Sequence, residues 1–108
     1  MLNEEIKMDT RDAIMAAVGS VEHPAIAATL VDLGMVRDVI YNPADQGVAL
    51  TLVLPFANIV EDVRNYMVNS LYIAIKGAGG ELQKVTVALM TDEERERFLQ
   101  LEQENWRQ

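Results

Sequence analysis

The chain contains no cysteine, and that absence removes disulfides, thiolate-ligated zinc, thiolate-ligated clusters and thiol nucleophiles together. Histidine is nearly absent too. Any metal site built on the single imidazole, His23, would have to recruit carboxylates such as Glu22 or Asp32. Basic side chains are outnumbered, nine Lys and Arg against 17 Asp and Glu, for a formal net charge of −8. A field of that sign repels phosphate backbones and anionic lipid headgroups. The basic residues also stand singly among acids from Lys7 to Arg107, so neither nucleic acid nor a membrane surface is an expected partner. No apolar run approaches the roughly 18 residues of a membrane span. The opening MLNEEIKMDT lacks the basic start, apolar stretch and cleavage site of a leader. A cytoplasmic location is expected. Six glycines and three prolines are too few for a disordered or repeat-built chain.

What is present suits one domain. The 108 residues, half of them hydrophobic, can enclose a modest core. A single unit over 1–108 is expected, with its core at about 9–90 and an acidic helix at about 91–106. Asp9 or Thr10 can cap a first helix through Val18, where Ala13, Ile14, Ala17 and Val18 follow helical spacing and Gly19 stands as a left-handed stop. Between Ser20 and Gly34, Pro24 could open a helical turn from Ala25 to Leu33, and a structured loop fits as well. Met35 to Tyr41 and Gly47 to Leu54 read as strands of an antiparallel hairpin, joined by Asn42-Pro43-Ala44-Asp45-Gln46-Gly47. Neither face of the second strand is clearly solvated.

After Pro55, Asn58 with Glu61 has the pattern of a capping box for a helix from about Ile59 to Lys76, whose Ile59, Val63, Met67, Leu71 and Ile75 recur every four residues. Gly77-Ala78-Gly79-Gly80 ends it. The order helix, glycines, strand is the reverse of a phosphate loop. Leu82 to Met90 forms a third strand that a right-handed crossover lays parallel to the second, and it is expected to pair antiparallel beside the first. Thr91 with Glu94 caps a last helix, polar except for Phe98, Leu99, Leu101 and Trp106. Its Trp106, Phe98 and Leu101 can pack into the core or form a partner-binding stripe. The fold class is therefore α+β, a two-layer arrangement of a small three-stranded mixed sheet packed with helices.

Three places could carry chemistry. His23 precedes Pro24 in a turn, and no nucleophile-elbow pattern surrounds Ser20 or Ser70. Asp32 sits among apolar neighbours in Leu30-Val31-Asp32-Leu33-Gly34, so burial is expected, with its carboxylate either accepting N–H groups around Gly34 or acting chemically. Leu54-Pro55-Phe56-Ala57-Asn58 runs from a strand into a helix, where backbone amides create a positive end suited to an anion. That segment carries no nucleophile.

Leu30-Val31-Asp32-Leu33-Gly34-Met35-Val36, with Pro24 eight residues ahead of Asp32, the hairpin, Leu50-Thr51-Leu52, Pro55 and the long helix, together resemble the SufT/PaaD-like family, also called domain of unknown function 59. The resemblance spans roughly Asp9 to Leu89. It implies the fold of an iron–sulfur cluster assembly domain, usually non-enzymatic, whose partners are other assembly proteins and client apo-proteins. It implies a pocket at Asp32, Gly34, Pro55, Ala57, Asn58 and His23. The family carries Asp-Pro-Glu where this chain has His23-Pro24-Ala25, and Thr-x-x-x-Cys-Pro where it has Val53 and then Ala57-Asn58. A proline-and-tryptophan segment after the last strand is replaced by the Thr91 helix. The implied role is an accessory or scaffold protein without cofactor or metal of its own, acting through protein contacts. Two other readings stay open: an interaction module forming a homodimer through a strand edge or the last helix, and an enzyme pairing Asp32 with His23 on a small anionic metabolite.

Overall fold

Residues 9–106 are described in a computed structural model of the chain. The first eight residues, which carry most of the leader reading, and Arg107 and Gln108 lie outside that range. The elements follow the order α1 (Thr10–Gly19), β1 (Val36–Asn42), β2 (Gly47–Leu54), α2 (Glu61–Gly77), β3 (Glu81–Leu89) and α3 (Asp92–Asn105). This is the expected α+β class, with a three-stranded mixed sheet.

In α1, the carboxylate of Asp9 accepts the Asp12 N–H at 2.9 Å, satisfying a donor that the first turn leaves without a partner. The end of α1 differs from expectation. Gly19 stays helical, and right-handed Ser20 closes the helix, its hydroxyl donating to Ala17 O at 2.7 Å. A side-chain bond thus replaces the left-handed turn. Residues 21–34 form a structured loop rather than a helix, tied by an isolated bridge between Glu22 and Thr29.

The strand order is β1-β2-β3, with β1 antiparallel and β3 parallel to β2. The expected pairing of the third strand beside the first is therefore wrong. A four-residue turn over 43–46 holds β1 on one side of β2, so the returning β3 finds only the other side free, and the apolar β2 becomes the central strand. Asn42 Oδ1 accepts the Ala44 N–H at 3.0 Å and Asp45 Oδ1 the Gly47 N–H at 2.9 Å; both side chains stabilise the turn by mimicking backbone acceptors. Val48, Leu50, Leu52 and Leu54 are buried on one face of β2, and Gly47 and Val53 on the other. Asp38, at φ 55°, lies where the β1–β2 register shifts, a bulge that an aspartate tolerates better than most residues.

The core joins Ile14 and Val18 of α1, Met67, Leu71 and Ile75 of α2, and the inner side chains of β2. Each such side chain contributes roughly 1.5–3 kcal/mol by leaving water. Helix α2 begins later than expected: Val60 is its N-cap, without a side-chain cap, and Asn58 is exposed in the preceding turn. Six residues, 55–60, turn the chain off the sheet before α2 begins, so the box at Asn58 and Glu61 does not form. The box at Thr91 and Glu94 does, with bonds of 2.8 and 3.1 Å.

Candidate functional site

One end of the sheet is built from the start of β1 and the ends of β2 and β3. Before β1, a turn closes through Gly34 N–H to Val31 O (3.0 Å) and Met35 N–H to Leu30 O (2.8 Å). Gly34 adopts φ 76°, the left-handed region where a side chain is strained. Val53 N–H then donates to Met35 O at 2.7 Å, and Met90 N–H to Leu54 O at 2.9 Å, which carries the hydrogen-bond ladder to the sheet's end. The antiparallel register thus brings Asp32 and Gly34 to the same end of the sheet as Pro55, Ala57 and Asn58.

Arg95 ties this end together, and sequence reading did not single it out. Its Nε donates to Pro55 O at 2.8 Å, its Nη2 to Met90 O at 3.3 Å and its Nη1 to Asp92 Oδ1 at 2.9 Å. The guanidinium also lies 5.7 Å from the centre of the Phe56 ring, within cation–π range. Nearby, Arg37 meets Glu94 at 3.4 Å. The only sequence signal for Arg95 is its position one turn into a capped helix, which does not reveal two carbonyls waiting at the ends of distant strands.

Two expectations for this end change. Asp32 is exposed, and its N–H donates to Thr29 Oγ1 at 3.1 Å, while the Gly34 N–H goes to Val31 O. The carboxylate is therefore not the buried acceptor expected from its apolar neighbours: in this turn Leu30 and Leu33 point inward while Val31 and Asp32 point out. The expected anion-ready helix start is displaced to Val60, where Glu61 and Asp62 occupy the first turn. Their negative charges already complement the positive end of α2.

Pro55 is buried, and Ala57 and Asn58 are exposed. His23 is placed differently. The residue is buried, its ring Nδ1 accepts the Ala25 N–H at 2.9 Å, and its backbone N–H donates to Ala28 O at 3.1 Å. It borders a depression with Ser20, Glu22, Pro24, Tyr66 and Ser70, which includes none of Asp32, Gly34, Pro55, Ala57 or Asn58. The four-residue spacing of Tyr66 and Ser70 puts them on one face of α2, and nothing in the sequence joins that face to His23.

Several large apolar side chains are exposed on the segments that meet here. Phe56 and Val60 are exposed at 45% and 62%, and Val87 and Leu89 at 52% and 53%; Leu89 stands beside Leu54 in the β2–β3 ladder. Among the described residues no group of three His, Cys, Asp or Glu side chains is arranged to hold a metal ion, and no helix is long and apolar enough to cross a membrane. With Thr91 and Glu94 engaged in capping and Arg95 in bridging, the arrangement is equipped for contact with another apolar surface. Neither the protein-family models nor the curated proteins include a match to this chain.

Proposed function

We propose that the protein is an accessory or scaffold component in the assembly of iron–sulfur clusters or related metallocentres, working through protein contacts and not through a thiolate of its own. The reading starts from the resemblance carried by Pro24, Asp32, Gly34 and Pro55. The observation that carries it is that Phe56, Val60, Val87 and Leu89 are all exposed on the segments where β2 and β3 end and α2 begins, which include the Pro55, Ala57 and Asn58 of the pocket that the resemblance implies. Large apolar side chains left exposed favour a partner surface over open water. Other assembly proteins or client apo-proteins are the partners in this reading.

The test is mass-spectrometric identification of proteins that co-purify with the full chain from its own cells, beside a Phe56→Ser, Leu89→Ser double variant. Assembly factors or apo-clients should be enriched with the parent chain and depleted with the variant. If none is enriched, or if the variant retains them all, the proposal fails.

A homodimer is the second reading, favoured by a specific feature: β3 is nine residues long and lies at the outer position of the sheet. An edge of that length offers backbone donors and acceptors to another strand. Light scattering that gives the mass of a single chain at high concentration removes this reading.

A further inference from the structure

We infer that the outward face of α3, around Leu99 and Trp106, is a docking surface for a basic amphipathic helical segment of a partner protein. The inference rests on the contact-based reading above and names the chemistry of one such partner.

The inner side of α3 is already satisfied. Phe98 is buried and Leu101 half-buried. Arg95 is held as described, Ala27 N–H donates to Asn105 O at 2.7 Å, and Ile26 forms a bridge with Trp106. The helix needs no second apolar stripe to stay in place, yet Leu99 is 41% and Trp106 54% exposed. Leu99 lies within α3 and Trp106 is its C-cap. With Glu102 and Gln103 they border a single depression. An adjoining one is lined by Glu93, Glu96, Arg97, Leu99, Gln100 and Gln103.

Charge identifies the occupant. At the start of α3 the acids Asp92, Glu93 and Glu94 suit the positive end of the helix, and Asp92 and Glu94 also meet Arg95 and Arg37. The other end is arranged against the helix's own interest. Its last turn has no basic residue, and Glu102 and Glu104 stand where the dipole is already negative. Cations brought by a partner would relieve that excess beside an indole face that itself attracts Lys and Arg. A second copy of this chain would instead add its own net charge of −8. The backbone at Trp106 is fixed by the bridge to Ile26, so the main chain that carries the indole has little freedom left to lose on association. The fitting partner segment is a helix that sets an apolar side chain between Leu99 and Trp106 and directs Lys or Arg toward Glu96 and Glu102, which border the two depressions.

Trp106 is the chain's only tryptophan, so its fluorescence reports the surface directly. The full chain is titrated with a tryptophan-free amphipathic peptide of Leu and Lys, and emission is followed with calorimetry in parallel. A saturable blue shift is expected, weakening as salt is raised. Leu99→Ser should reduce affinity roughly tenfold, and paired Glu96→Gln, Glu102→Gln should do likewise. Paired Asp12→Asn, Asp38→Asn, which removes equal charge elsewhere, should leave affinity within about twofold. The inference is overturned if no shift occurs, if both charge pairs weaken binding equally, or if the shift appears without peptide as the protein is concentrated, since a second copy would then occupy the face. Assembly partners recovered by co-purification without peptide binding would refute this surface alone; peptide binding without such partners would refute the assembly reading alone.

Discussion

Gly80 and Gly77 belong to the same glycine-rich turn, and packing gives them opposite roles. A Cβ on Gly80 would come within 2.7 Å of Ile14 Cδ1, 3.0 Å of Ile75 Cγ2 and 3.1 Å of Val48 Cγ2, whereas one on Gly77 would meet nothing within 4 Å. Gly80→Ala should therefore destabilise the fold by about 1–3 kcal/mol through overpacking. Gly77→Ala, at the last helical position, should be neutral or stabilising by up to about 1 kcal/mol. Urea denaturation of the two variants checks the contrast. Across the same turn, Lys76 Nζ lies 3.0 Å from Glu81 Oε1. This hydrogen bond raises the Lys76 pKa above its usual 10.5 and lowers that of Glu81 below its usual 4.5. The Glu81 contribution to stability is present above the ordinary carboxylate range and is lost as pH falls through its lowered pKa; the Lys76 contribution is present below 10.5 and is lost as pH rises through its raised pKa. In Glu81→Gln, the Lys76 titration followed by NMR should move back toward lower pH. Residue-scale reading of the sequence located the turn but not the environment of Asp32. Apolar neighbours imply burial only where every residue faces inward, and a tight turn does not provide that.

At the scale of elements, two segments share one pattern, Asn58-x-x-Glu61 and Thr91-x-x-Glu94, and only the second forms a capping box. Thr91→Ala should cost about 1 kcal/mol and speed amide exchange in the first turn of α3. Asn58→Ala should stay within about 0.5 kcal/mol. Equal costs would contradict the later start of α2. The apolar period was legible for the core of α2, where Met67, Leu71 and Ile75 are fully buried. It misplaced the boundary because Ile59 continues the spacing outside the helix. Strand spans were legible within a residue, since hydrophobic runs end at turn residues such as Asn42 and Pro55. Which strand lies in the centre was not, because alternation along β3 does not say whether a neighbour covers Val87 and Leu89.

For the whole molecule, the sheet end depends on Arg95, which links the ends of β2 and β3 to α3. Arg95→Ala should destabilise by about 1–3 kcal/mol, the scale of charge-assisted hydrogen bonds. Arg95→Lys should recover only part of this, since an ammonium cannot present the planar fork; chemical denaturation reads both. The sequence disclosed the α+β class through its order of apolar periods, but the approach of Arg95 to Pro55 and the bridge of Ile26 to Trp106 arise only through folding. The proposed role is contact through exposed apolar surfaces, with no cluster held by this chain alone. Its most direct test is anaerobic incubation of the purified full chain with ferrous iron, sulfide and reductant, followed by gel filtration and iron and sulfide analysis. The expected result is protein eluting without stoichiometric iron or sulfide and without cluster absorbance. A cluster that stays with the chain at one per molecule would contradict the account.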